Sequence, residues 1–115
     1  MDSLQELKEK IDAFAHARDL EQFHTPENLA KSISIEANEL LECFQWSGDR
    51  YNIEEVKEEL ADVINYCIRM ASVMDLDIRE IVLAKLEKND RKYPAEKARG
   101  RADKYTAYME DKKQK

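Results

Sequence analysis

Apolar residues recur every three or four positions through most of this chain, the spacing of helices that each bury one face, and no stretch alternates in the way a strand does. Helix starts are legible. Ser3 with Glu6, Asn52 with Glu55, and Asp77 with Glu80 each set a capping side chain three residues ahead of an acid. Thr25-Pro26 marks a further start, a cap followed by the residue best tolerated at the first helical position. These signals predict helices over about 3–18, 26–46, 53–74 and 77–91. Ser47-Gly48-Asp49 closes the second and Tyr93-Pro94 ends the fourth. A further short helix is expected around Gly100, and residues from about 108 to 115 are expected to fray as a basic tail. The reading is an all-α bundle of four to five helices, one domain over residues 1–115.

The same periodicity exposes polar residues in the wrong places. The second helix has an apolar stripe through Leu29, Ile33, Leu40 and Phe44; Glu36 falls near its centre and Glu39 on its edge, while Glu42 points toward solvent. The third has its main stripe through Val56, Leu60, Val63, Ile64, Cys67, Ala71 and Met74. Beside it runs a second strip of Glu59, Asp62, Tyr66 and Val73, mixed enough that another surface is expected to cover it. In the fourth helix Ile78, Ile81 and Val82 define an apolar side that Lys85 and Asn89 continue.

Composition narrows the class. Two glycines and two prolines among 115 residues, with 38% charged, fit long helices and few turns. Residues 1–84 hold 8 Lys/Arg against 19 Asp/Glu, net −11, and residues 85–115 hold 11 against 6, net +5. An acidic body argues against nucleic acid as a general partner; the basic third is either a solvated tail or a surface that meets a phosphorylated ligand. No apolar run approaches the ~20 residues of a membrane span, and no signal peptide opens the chain. Cys43 and Cys67 stand in apolar helical contexts and are expected to be reduced core thiols of a cytoplasmic protein.

Two acid pairs at i,i+3 spacing, Glu36/Glu39 and Glu59/Asp62, lie on consecutive helices joined by a short loop. Such helices pack antiparallel, so both pairs can face one gap. Four carboxylates there repel, and a hard divalent cation resolves the conflict. Oxygen donors without His or Cys select magnesium or manganese, which normally share their coordination with substrate phosphates. The competing reading is a salt-bridge network in which Lys85, Lys88 and Arg91 neutralise the four acids. Glu21-x-x-His24 has the form of a di-iron motif but occurs once, before Pro26. His16 reads as a surface residue. Neither cysteine has a histidine placed to activate it, and no glycine-rich phosphate loop is present. Phe23 and His24, beside Thr25-Pro26, either staple the start of the second helix or close over a ligand.

"EANE" at 36–39 followed by "ELAD" at 59–62 resembles the Glu-x-x-Glu and Glu-x-x-Asp metal motifs of the MazG-like all-α nucleoside triphosphate pyrophosphohydrolases. Within that superfamily "RDLEQFHTPENL", "FQW", "EELADVINY", "KLEKNDRKYP" and "ARGRADKY" resemble the dCTP pyrophosphatase branch, in order, from about residue 10 to 106. The resemblance implies a bundle that forms a dimer or a dimer of dimers, with active sites at helix interfaces. It implies hydrolysis of a nucleoside triphosphate to monophosphate and pyrophosphate, as house-cleaning of the nucleotide pool. Carried over by position, Glu36, Glu39, Glu59 and Asp62 would hold Mg2+. Trp46 and Phe23 would wall the base pocket, Gln22 and His24 belong to the substrate loop, and Tyr66 corresponds to a substrate-contacting tyrosine. Lys85, Lys88, Asn89, Arg91 and Tyr93 fall in the segment that meets phosphates. Leu20 stands where that branch often has Trp, and Ile11 where it has His; both changes strip stacking or polar contacts from the implied base pocket. Ile35 stands where the wider superfamily often doubles the first acid.

The mechanism this implies has magnesium between acids and triphosphate, lowering the pKa of a water that attacks the α-phosphorus. Glu36 or Glu39 orients or deprotonates that water, and Lys85 and its neighbours stabilise the leaving pyrophosphate. Two alternatives stand beside it: a non-catalytic helical interaction module with structural salt bridges, and a related enzyme acting on another phosphorylated substrate, such as a phosphoribosyl-ATP-like molecule.

Overall fold

The structure is a computed structural model that describes residues 3–98; Gly100 and the basic tail lie outside the described residues. The elements are α1 (Ser3–Ala17), a 3-10 turn (Leu20–Gln22), α2 (Pro26–Glu42), α3 (Ile53–Val73), α4 (Ile78–Lys92) and a short α5 (Ala95–Ala98), with no strand among the described residues. The expected all-α class is what the backbone adopts.

Local chemistry accounts for the boundaries. Thr25 accepts the Asn28 N–H at 3.1 Å, and Asn52 accepts those of Glu54 and Glu55 at 2.9 and 3.3 Å, satisfying amides that a helix start leaves without partners. Asp75, in the left-handed region at φ 55°, ends α3 and lets the Leu76 N–H reach the Ala71 carbonyl at 2.8 Å. α2 ends four residues before the expected position 46. Its last turn tightens: Cys43, Phe44 and Gln45 donate to the carbonyls three residues back, at 3.2, 3.0 and 3.1 Å. Ser47 then closes the turn by accepting the Asp49 and Arg50 amides.

The chain divides into two compact units, Met1–Asp77 and Ile78–Lys115, each described by itself. In the first, α2 and α3 form the principal helix pair and α1 packs on α3. The pair is antiparallel: Phe44, just past α2, meets Tyr51, just before α3, with ring centroids 5.0 Å apart, and farther along Glu36 lies beside Glu59 and Asp62. Leu29, Ala15, Ile68 and Ala71 are buried between the helices. In the second unit Arg91 bonds Glu87 on its own helix at 3.3 Å, and the Tyr93 amide donates to the Asn89 carbonyl at 2.7 Å.

Burial divides the expected stripe of α3. The mixed strip is covered, with Glu59, Tyr66 and Val73 half-buried; of the apolar stripe Ala71 is buried and Val56 and Val63 are half-buried, whereas Leu60, Ile64, Cys67 and Met74 are exposed. In this unit only α1 and α2 pack on α3, too few to cover its whole circumference, and the side they take includes the polar groups. Cys67 is therefore a free, exposed thiol and Cys43 a free, half-buried one, rather than core thiols.

Beside these apolar contacts, a polar network ties α1 to α3. Arg69, 8% exposed, donates from Nη1 to Asp12 Oδ1 at 2.9 Å, and Asp12 Oδ2 accepts from Lys8 Nζ at 2.9 Å and Ser72 Oγ at 3.0 Å. Burial alone would raise the Asp12 pKa, but the bonds from Lys8, Ser72 and Arg69 outweigh it and hold the carboxyl below the usual range. Removing one partner of such a pair strands the other's charge. Replacing Asp12 with Ala is expected to lower the unfolding free energy by about 3 kcal/mol; urea denaturation followed by circular dichroism measures it.

Candidate active site

The i,i+3 spacing of Glu36/Glu39 on α2 and Glu59/Asp62 on α3 turns each pair toward the facing helix. One carboxylate oxygen from each of Glu36, Glu59 and Asp62 lies within 4.8 Å of the others. Glu36 Oε2 and Glu59 Oε2 are buried and receive no hydrogen bond. Glu39 is exposed at the edge of the cluster, and its carboxylate raises the pKa of both Glu36 and Glu59. Among the described residues of this unit, no ion pair reaches any of the four acids.

The electrostatics follow. The bond to Glu39, burial, and the charges of Glu39, Asp62 and Glu59 push Glu36 from the ordinary 4.5 up to about 7. Burial, then the bond to Glu39 and the surrounding acids, raise Glu59 as well. Two buried oxygens without donors, in an all-oxygen cluster, can be satisfied by a proton or by a hard cation, so these residues fit a divalent metal ion.

Next to the cluster lies a cavity of about 380 Å³, reached through Asp62. Ile11, Phe14, Ala15 and Leu20 give it apolar walls, and Lys10, His24, Asn65, Tyr66 and Arg69 its polar ones. The structure thus brings Asp62, Tyr66 and His24 together, and the two positions at which the chain departs from the branch it resembles, Leu20 and Ile11, both line this space. Phe23 and Trp46 do not: they are 60% and 90% exposed. Gln22 turns back to donate to the Asp19 carbonyl at 3.1 Å. Lys85, Lys88 and Arg91 are exposed on α4, where Asn89 and, just beyond, Tyr93 are half-buried. His16 is exposed and bonds Glu21 at 2.7 Å, while His24 bonds Arg69, so Glu21 and His24 do not converge on one ligand. Sequence reasoning missed Arg69, Asp12, Lys10 and Asn65. The available signal was an arginine set among Ile68, Met70 and Ala71, where a helix offers it little water.

Fold and site together define an all-α protein with a cluster of carboxylates beside a mixed cavity. The chain belongs to the MazG-like family, whose model matches residues 31–107. It is 36% identical to bovine (Bos taurus) dCTP pyrophosphatase 1 over 113 residues, covering 90% of this chain and 67% of that protein. It is 37% identical to the human (Homo sapiens) dCTP pyrophosphatase 1, covering 90% and 66%. The chain spans about two thirds of the length of these relatives. A crystal structure of a pyrophosphatase from Archaeoglobus fulgidus superposes with a TM-score of 0.72 at 41% identity, covering 82% of this chain and 94% of that one.

The raised acids carry a sign. Between pH 4.5 and about 7 folded Glu36 keeps a proton that the unfolded chain has released, so stability falls as pH rises through that window; Glu59 acts in the same direction. In the presence of a chelator, Tm is expected to fall across the window and level off above it. Glu36→Gln should flatten most of that fall and raise the Tm of the metal-free protein at neutral pH and above, as read by differential scanning calorimetry.

Proposed function

We propose that this chain hydrolyses a nucleoside triphosphate to the monophosphate and pyrophosphate, with a deoxynucleotide such as dCTP or a modified pyrimidine as substrate. The observation that carries the reading is the pair of buried, donorless oxygens of Glu36 and Glu59 converging with Asp62 within 4.8 Å, beside a cavity of nucleoside size. The relatives named dCTP pyrophosphatase and the Archaeoglobus pyrophosphatase support the reaction class. A salt-bridge module is disfavoured, because the acids in this unit lift one another's pKa rather than being neutralised.

Glu36, Glu59 and Asp62, with Glu39 beside them, would hold the cation, which their all-oxygen chemistry selects as Mg2+ with Mn2+ as a substitute. When bound, such an ion supplies positive charge against the triphosphate and makes a neighbouring water more acidic. Glu39, the exposed member of the cluster, takes the proton from the water that attacks the α-phosphorus, with Glu36 holding it in place. The bond from the α-phosphorus to the bridging oxygen breaks, and pyrophosphate leaves with that oxygen. Tyr66, His24 and Asn65 orient the nucleoside in the cavity. By resemblance, Trp46 and Phe23 add aromatic walls, Gln22 belongs to the same loop, and Lys85, Lys88, Asn89, Arg91 and Tyr93 meet phosphate charge. The exposed apolar line Leu60, Ile64 and Met74 supports assembly as a homodimer or homotetramer. A cytoplasmic location is part of this reading.

Glu39→Gln should lower pyrophosphate release from dCTP by at least about a hundredfold, the usual contribution of a general base, with an unchanged helical spectrum. Wild-type turnover should need Mg2+ or Mn2+ and stop with a chelator. Profiling of the products from deoxy-, ribo- and modified pyrimidine triphosphates tests the substrate. Orthophosphate release in place of pyrophosphate, or a fully active Glu39→Gln, would overturn the reading.

A further inference from the structure

Arg69 sits among apolar neighbours on α3, and its bonds determine the state of a second residue of the cavity. Nη1 donates to Asp12 Oδ1 at 2.9 Å and Nε donates to His24 Nδ1 at 2.8 Å. A guanidinium has donors only and keeps its proton in proteins. Nδ1 of His24 is therefore bonded as an acceptor, and the proton of the neutral ring resides on Nε2. A second proton, on Nδ1, would set N–H against N–H and two positive charges at bonding distance. Nor is there slack around the arginine: Asp12 Oδ1 is held by Arg69, and Oδ2 accepts from both Lys8 and Ser72. Glu21, whose charge favours a protonated His24, is engaged by His16 at 2.7 Å. Burial first, and the Arg69 charge second, keep the His24 pKa below its ordinary value despite Glu21.

With Nδ1 occupied, the edge of the ring left for a ligand is the Nε2 edge, and His24 lines the cavity with Asp62, Asn65 and Tyr66. We propose that Arg69 is a positioning residue for the nucleotide site: it fixes His24 as the neutral Nε2–H tautomer, so that the ring offers the bound substrate a hydrogen-bond donor and no acceptor. The substrate atom selected is a hydrogen-bond acceptor of the nucleotide, and a group that can only donate, such as the amino group of a base, is refused there. The identity of the occupant rests on the nucleotide reading above; the tautomer does not. Arg69 acts through His24 and touches no reacting atom.

The test uses the full chain with 15N-labelled histidine. Two-bond 1H–15N spectra between about pH 6 and 8 span the ordinary histidine range. They are expected to show His24 protonated on Nε2 and bare on Nδ1 throughout. A non-hydrolysable dCTP analogue added with Mg2+ should shift the Nε2 resonance. Arg69→Lys keeps a charge for Asp12 but loses the Nε donor. It should raise KM for dCTP about tenfold, the value of one well-placed hydrogen bond, with a smaller change in kcat. It should also give activity a new fall below about pH 6.5, where an ordinary histidine titrates. A purely structural arginine would leave the ring's tautomer and the pH profile unmoved. An Nδ1–H or doubly protonated His24 in the wild type overturns the proposal, as does a folded Arg69→Lys with wild-type KM and pH profile. If Arg69→Lys does not fold, the wild-type spectra decide. Should the wild type hydrolyse no nucleoside triphosphate, the proposed function falls, while the spectra of the resting protein still settle what Arg69 does to His24.

Discussion

Mutual repulsion between carboxylates is the constraint around which α2 and α3 are arranged. Glu36, Glu59 and Asp62 converge within 4.8 Å, and nothing in their unit offers the two buried oxygens a donor. An interface that carries such repulsion needs attraction on either side of it. Leu29 is buried toward one end of α2, and the Phe44–Tyr51 pair closes the other. Well-made caps at Thr25 and Asn52 fix where each helix begins, and so where each i,i+3 acid pair faces. Without a cation the cluster lowers its energy by keeping protons, as the raised Glu36 and Glu59 show. The fold is held by contacts that flank the site, so the site itself can remain electrostatically unsatisfied until a ligand arrives.

Farther along α3 the opposite solution appears, shared with α1. Asp12 of α1 and Arg69 of α3 are also charged and partly or fully buried, yet their oxygens and N–H groups are met by each other and by Lys8, Ser72 and His24. Glu59, Asp62, Tyr66 and Arg69 follow one another at three- and four-residue steps, so one line along α3 runs from unsatisfied acids to a satisfied ion pair. The cavity lies along that line and takes walls from both regions. Its end at Asp62 adjoins acids without donors, and its far end is hydrogen-bonded through Arg69 to Asp12 and His24.

How much of this could be read beforehand depended on how local each signal was. Caps and the i,i+3 acids are local, so the helix starts and the four carboxylates stood out as residues in the wrong place for an apolar stripe. The end of α2 did not, because a switch to i→i−3 bonding over Cys43–Gln45 has no strong signature. That switch also leaves Trp46 in the following turn, 90% exposed. Arg69 went unread because its partners lie 45 and 57 positions away, at His24 and Asp12. Periodicity says that α3 has two stripes but not which one its own chain will cover. The chain covers the mixed strip and the adjoining edge of the apolar stripe, at Val56, Val63 and Ala71, and leaves the far edge exposed.

That choice makes physical sense once the acids are considered together with their surroundings. A carboxylate cluster exposed to water would be screened and its acids would titrate normally, leaving little affinity for a cation. Covering Glu59 and Tyr66 with α1 and α2 lowers the local dielectric and sharpens the cluster's demand for positive charge. The consequence is that Leu60, Ile64, Cys67 and Met74 are left on the outside of the unit. Apolar side chains on an outer face gain by burial against another surface, about 25 cal/mol per Å² covered, whereas the acids would lose by it. Turning the polar strip inward and Leu60, Ile64 and Met74 outward thus gives one helix two different faces, one for the acids and one with apolar area still to bury.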